Sequence, residues 1–296
     1  MNLTQEAIFN AKAQLNSFLD YVINSTDSMP DNPIQRALNE RKSYSDITKP
    51  NSSVYDLYLK GKTELDNNEF EKAEITLKKL FEEDPTEESV LLWTLAKYKK
   101  AELANSCKEL IDCINIIHEY IDVENSTSEY LFGRLAAISL RIYQLSDDSE
   151  YYYSSLNYYR KGAEYCKNNL YCPRNYCAML LRIQEITDDV NIIKEYFYTA
   201  KHYAKLFLHL KVTASGAGEY DDRVYYSYNV NDLRSIVSGE YIDYEKIINR
   251  LQNDSDISIR QKTTIINGIT KLILIFNQHI DKIQSLPVIL LMVSLD

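Results

Sequence analysis

The hydrophobic positions of this chain recur at intervals of three and four, the spacing that gathers them on one face of a helix. Leu3, Ala7, Ala11, Leu15, Phe18, Leu19 and Val22 trace such a face and predict an amphipathic helix over 3–24. A loop with Pro30 and Pro33 follows. A more polar helix over 34–47 ends before Lys49-Pro50, because the residue preceding proline avoids the helical region. Leu57 and Leu65 then line one helix, while Leu77, Leu80 and Phe81 follow Ala73 on the next. Between the two, Asp66-Asn67-Asn68 are residues that bond their own backbone and tolerate tight bends. The two-helix pattern returns with Leu91, Leu95 and Tyr98 followed by Cys107, Ile111, Ile114 and Ile117. It returns again from Ser128 into a helix over 151–168, and in 174–186 paired with 191–208, where Ile193, Phe197 and Ala200 face inward. Over 211–231 the period fails. Gly216, Gly218 and a Tyr cluster leave a long ordered loop, a short hairpin or a mobile segment open. Two last helices are predicted over 232–252 and 257–283.

The stretch Val54 to Glu87 is 34 residues long, the period of the tetratricopeptide repeat (TPR), a helix–turn–helix unit that stacks into a solenoid. With Gly61 at the eighth position, Ala73 falls at the twentieth and Pro85 at the thirty-second. Gly61 suits the close approach of two helices, Ala73 the crossing of the second helix over the first, and Pro85 the end of the second helix. The stretch resembles one such repeat. A degenerate second unit spans 88–121, in which Leu95 replaces Gly and Cys107 takes the small site. A third spans 128–168, with Gly133 and Gly162 in the close-approach roles. These two glycines lie about ten residues farther apart than the standard spacing, an insertion assigned to the polar turn at Ser146–Glu150 and to longer helices. A fourth unit spans 174–208. Residues 1–50 form an N-terminal helical cap, 211–231 an irregular Tyr-rich loop, and 232–296 a helical hairpin with an apolar tail.

Residues 129–181 carry a more particular pattern: Glu129 and Gly133-Arg134, then Tyr159-Arg-Lys-Gly162 with Glu164, then Tyr171 and Asn175 ahead of Leu180-Leu181. This run resembles the TPR-type TRAF-binding domain of the apoptosis signal-regulating kinases and its bacterial relatives. Pro173-Arg174 stand where Gly-Ile would be expected, Asn175 is kept, and Cys177 takes the usual Ala place. The resemblance implies a helical protein-interaction module in stress or immune signalling, with no catalytic residues.

Composition narrows the reading. Only 7 Gly and 6 Pro leave little material for the turns of an all-β protein. A net charge of −10 disfavours general nucleic-acid binding, which needs a basic surface. Five Cys without a secretory leader read as reduced cytoplasmic thiols. No apolar run reaches the length of a membrane span; Pro287 to Val293 is too short, and reads as a buried terminal strand or helix turn, or a docking segment.

Chemistry-bearing patterns are sparse. Cys166, Cys172 and Cys177, and Cys107 with Cys113, lack zinc-site spacing, and the four His are scattered. No metal or cofactor is expected. Ser215-Gly-Ala-Gly218 lacks the frame of a phosphate or nucleophile loop. Glu82-Glu83-Asp84 reads as a solvated helix end. Peptide recognition fits better: Tyr55, Tyr58 and Lys62 are expected on the partner-facing side of the first unit, and Arg223, Tyr225 and Tyr226 as anchors in the irregular loop. The Tyr-rich third and fourth units offer a second surface, against the alternative that their rings pack between helices. Lys97, Lys99 and Lys100 form one basic spot.

The sequence is thus read as an all-α, TPR-like solenoid that acts as a non-catalytic protein-interaction adaptor for a protein, a peptide or a second copy of itself. The alternative is an effector or enzyme-associated subunit with an unrecognised active site, and after it an RNA-binding helical repeat.

Overall fold

The computed structural model describes residues 53–166, 170–209, 220–242, 244–253, 257 and 259–284, with the backbone alone at 220–224, 226, 259–261 and 279–284. The chain divides into two compact units, Met1–Asp46 and Ile47–Asp296. The described residues all belong to the second, so the N-terminal cap and the tail from Pro287 lie outside them.

Those residues form eleven α-helices in sequence. They are α1 (Ser53–Asp66), α2 (Phe70–Glu83), α3 (Glu87–Ala104), α4 (Cys107–Tyr120), α5 (Glu129–Ser146) and α6 (Ser149–Glu164). After these come α7 (Tyr171–Leu181), α8 (Val190–His209), α9 (Tyr220–Ser238), α10 (Tyr244–Asn253) and α11 (Ile259–Gln284). A 3-10 turn, Arg182–Glu185, extends α7. No strand occurs among the described residues.

Three short connections share one chemistry. α1 turns into α2 through Asn68 at φ 59°, α3 into α4 through Asn105 at φ 50°, and α5 into α6 through Asp147 at φ 57°. Asn and Asp tolerate this left-handed conformation better than other non-glycine residues. In the last two turns the following residue caps the new helix: Ser106 Oγ accepts from Glu109 N at 3.3 Å, and Asp148 Oδ1 from Glu150 N at 3.0 Å. Thr86, after Pro85 has ended α2, caps α3 together with Ser89.

Packing follows chain order from α1 to α9, with α10 on α11. In addition α3 touches α5, α5 touches α7, α7 touches α9 and α9 touches α11, so the odd-numbered helices from α3 to α11 form a connected row. At the first hairpin, Ala73 and Leu77 are fully buried, and a Cβ on Gly61 would run into the Leu77 side chain. The next core joins Leu91, Tyr98 and Ala101 of α3, Leu110, Cys113 and Ile117 of α4, and Leu131, Leu135 and Ile138 of α5. The α3–α4 hairpin therefore completes its core with the helix that follows.

Gly133 and Gly162 flank a single side chain. A Cβ on Gly133 would lie 3.2 Å from Cys172 Sγ, and one on Gly162 2.5 Å from the same sulfur. That thiol plugs the α5–α6–α7 junction and donates to the Glu129 carbonyl at 3.4 Å.

Several expectations need correction. Residues 220–231, read as irregular, open helix α9, and the predicted helix over 232–252 is two helices, α9 and α10, parted near Gly239. On α4 the buried stripe is Leu110, Cys113 and Ile117, while Ile111 is 37% exposed and Cys107 half-buried. Apolar residues occur on both sides of that helix, so its spacing allowed two registers. In the third unit the expected lengthening of the helices is seen: α5 and α6 have 18 and 16 residues, against 14 in each of α1 and α2, six residues more in all.

Candidate functional site

Of the residues expected to grip a partner, Tyr55, Tyr58 and Lys62 lie together on α1. Tyr58 is buried, 3% exposed, and its hydroxyl accepts from Lys62 Nζ at 3.3 Å. Tyr55 is half-buried, with its ring 6.5 Å from that of Tyr58. These side chains pack against one another, so the expectation of Tyr58 as an open contact is corrected. Tyr225 is half-buried in the cluster formed by Tyr228, Leu251, Ile257, Ile265 and Ile269. The side chains of Arg223 and Tyr226, and residues 211–219, lie outside the described set.

The tyrosines of the third and fourth units divide in favour of packing. Tyr152, Tyr159 and Tyr176 are at most 2% exposed, and burial raises the pKa of each well above the ordinary phenol value. The Tyr152 hydroxyl donates to the Met179 carbonyl at 2.7 Å. Lys97 and Lys100 pair with Glu74, and Lys99 with Glu102 at 2.8 Å, so each lysine of the basic spot has a carboxylate.

A different arrangement emerges on the odd-numbered helices. From α3 come Tyr98 and Glu102, from α5 Arg134 and Arg141, from α7 and its 3-10 turn Tyr171, Arg174 and Arg182, from α9 Asp232, and from α11 Lys271. Arg174 is the hub. Its Nε donates to Asp232 Oδ2 at 2.8 Å, one Nη to Asn175 Oδ1 at 2.8 Å, and the other to the Gly268 carbonyl at 3.0 Å. Asn175 is itself held by the Tyr171 carbonyl at 2.9 Å. Asn175, singled out as a signature residue, thus orients the neighbouring guanidinium. Farther along, Gln184 Nε2 donates to the Ile275 carbonyl at 3.1 Å. Contacts at Gly268 and Ile275 bracket Lys271 on α11 and hold that stretch against α7 and its 3-10 turn.

Arg141 is fixed by neutral groups. It donates to Asn105 Oδ1 at 2.6 Å, to the Glu102 carbonyl at 3.5 Å and to Gln144 Oε1 at 3.4 Å. Burial pushes the Glu102 carboxyl up, but Lys99, Tyr98 and Arg141 outweigh it and hold the group below the ordinary Glu value. The Lys271 residue is exposed, yet protein crowds its ammonium. That crowding, with the charges of Arg182, Arg141 and Arg174, lowers its pKa against the pull of Glu102. Burial opposes the Arg174 charge, but Asp232 more than restores it.

The arrangement can hold and orient a charged or hydrogen-bonding group. Among the described residues no group of three or more His, Cys, Asp or Glu could hold a metal ion. Burial raises the thiols of Cys113, Cys172 and Cys177. Among the described residues no helix is long and apolar enough to cross a membrane.

Sequence reasoning named Arg134 and Arg174 only as part of a pattern, and missed Arg141, Arg182 and Lys271. One local signal was present: Arg134 and Arg141 are seven residues apart, two helical turns on one face of α5.

In comparison with known proteins, no family model, curated protein or solved structure matched the chain.

Proposed function

We propose that the chain is a TPR-like array of helical hairpins that works as a non-catalytic adaptor, gripping a protein partner on its odd-helix face. Two features support the array: helix packing in chain order, and the α3–α4 core completed by the first helix of the following hairpin, as expected of stacked repeats. The observation that carries the functional reading is the odd-helix face itself, where Arg174, one turn after Tyr171, joins α7 to α9 and α11, and Arg141 joins α5 to the end of α3. Arg and Tyr are the residues in which interfaces concentrate binding energy. The chain's resemblance to a signalling module sets this adaptor in stress or immune signalling, as a regulatory subunit.

The test is partner capture from the native host with the whole chain and two variants. One carries Tyr171→Ala with Leu274→Asp, changing residues 37% and 54% exposed on α7 and α11. The other carries Ile75→Asp, changing a residue 61% exposed on α2. The adaptor reading expects the first variant to lose its partner and the second to keep it. Loss with Ile75→Asp alone, or retention by both, would contradict it.

A further inference from the structure

Helices α3, α5, α7 and α11 run the same way and end on one edge. Arg141, near the end of α5, donates to the Glu102 carbonyl and to Asn105 Oδ1 at the end of α3. Tyr143 of α5 has its ring 5.6 Å from that of Tyr152, whose hydroxyl donates to the Met179 carbonyl near the end of α7. At their other ends, Gly133 of α5 lies against Tyr171 and Cys172 of α7. Along α11, the Gly268 carbonyl accepts from Arg174 in the first turn of α7, and the Ile275 carbonyl from Gln184 in the 3-10 turn that extends it. Past that last contact α11 continues to Gln284, so it delivers the residues that follow to this edge.

The edge carries leucines open to solvent. Leu103, next to last in α3, is 72% exposed, the most of any large apolar side chain among the described residues. Leu145, in the last turn of α5, is half-buried. Leu274 is 54% exposed and lies one turn before Gln278, which meets Gln184 at 3.4 Å. The segment delivered here is apolar: Pro287 is followed by six apolar residues, Val288 to Val293, without a break. Such a run, tethered beside exposed leucines, removes apolar surface from water by covering them.

We propose that Val288–Val293 folds back across the ends of α7 and α5, from Leu274 toward Leu103, as an intramolecular competitor of the partner. Only the competition rests on the adaptor reading, because partner and segment then share Leu274. The reach suffices. The nine residues from Gln284 to Val293 span up to about 30 Å extended. Packed helices lie about 8–10 Å apart, so the three steps from α11 by α7 and α5 to α3 come to about 24–30 Å.

The tether favours the chain's own segment over that of a second copy. A short link holds it at an effective concentration on the order of millimolar, far above that of a dilute chain. A membrane is a poorer occupant. Six apolar residues fall far short of a span, and the flanking Asp281, Lys282 and Asp296 hold one cation against two anions.

The experiment is photo-crosslinking of the whole chain with benzoylphenylalanine replacing Val293, in a dilute equal mixture of unlabelled and nitrogen-15 chains. Mass spectrometry then locates the crosslinks. The proposal expects them within one chain, on the last turns of α3 and α5 that carry Leu103 and Leu145. Leu103→Asp, a change at an exposed site, should lower the α3 crosslink severalfold with circular dichroism unchanged. Leu274→Asp is the second variant and should do the same. Crosslinks joining labelled to unlabelled chains, crosslinks on α2 or α4 instead, or yields indifferent to both variants would overturn the docking. Transfer of the chain to added phosphatidylcholine vesicles with loss of the α3 crosslink would overturn it too. Leu290→Asp with Leu291→Asp should raise partner capture severalfold, and unchanged capture would overturn the competition. If the crosslinks form as expected while Tyr171→Ala with Leu274→Asp leaves capture intact, the docking stands and the adaptor reading falls.

Discussion

Arg174 of α7 and Asp232 of α9 form an ion pair at 2.8 Å with side chains only 11% and 6% exposed. Asp232 also accepts from the Tyr241 hydroxyl at 2.8 Å, and Arg174 reaches on to the Gly268 carbonyl. One carboxylate thereby ties together α7, α9, the segment before α10, and α11. Removing one member of a buried pair strands the other charge, which costs about 3–5 kcal/mol. Asp232→Ala should lower the unfolding free energy in urea by that amount. Replacing both partners, Arg174→Met with Asp232→Leu, should cost less, because no charge is left buried. A loss from the double variant as large as from Asp232→Ala would mean the pair contributes more than mutual neutralisation.

Gly162 tests the α5–α6–α7 junction. Alanine in place of glycine inside a helix ordinarily stabilises by about 1 kcal/mol. Here its Cβ would stand 2.5 Å from Cys172 Sγ and 3.2 Å from Phe132 Cβ, on the bodies of buried residues with little room to move. Overpacking costs about 1–3 kcal/mol and should win. Gly162→Ala is expected to lower the melting temperature, and Cys172→Ala in the same chain to restore part of the loss. A more stable Gly162→Ala variant would show that α7 does not seat against α6 in this way.

These glycines illustrate what could be read in advance. Gly61, Gly133 and Gly162 were legible as close-approach residues because a helix position without a side chain has few other uses. Asn68, Asn105 and Asp147 mark turns by their own chemistry. The α9 segment was not legible: its Tyr-rich stretch carries β propensity, but Tyr228 finds a buried place against Leu251, Ile265 and Ile269, and packing overrides propensity. The charged face was hidden for another reason. Its members span residues 98 to 271, and no local pattern reports a contact assembled from five helices.

Buried phenols predict alkaline sensitivity. An ordinary tyrosine loses its proton near pH 10, whereas burial raises Tyr152, Tyr159 and Tyr176 well above that and pushes Tyr196 up to about 12. A folded-state pKa above the unfolded one means the native chain keeps protons that the unfolded chain sheds. This contribution is fully present below about pH 10 and is lost as pH rises toward the folded values. Phenolate absorbance should therefore rise together with loss of helical signal above about pH 10. Complete, reversible titration near pH 10 with the helices intact would contradict the buried placement.

Thiol labelling gives an independent check on packing. Cys113, Cys172 and Cys177 are buried, while Cys107 and Cys166 are half-buried. A thiol reagent at neutral pH should modify Cys107 and Cys166 in the folded chain, and the other three only after denaturation. Early modification of Cys172 would place its sulfur outside the junction.

The claim that the odd-helix face is where a partner binds is tested most directly by hydrogen–deuterium exchange of the whole chain, free and with its captured partner. The account predicts slowed exchange on binding over α5, α7 and α11, around Arg141, Arg174 and Lys271, and little change over α2 and α4. Protection confined to α2 and α4, with the segments around Arg141 and Lys271 exchanging as in the free chain, would contradict it.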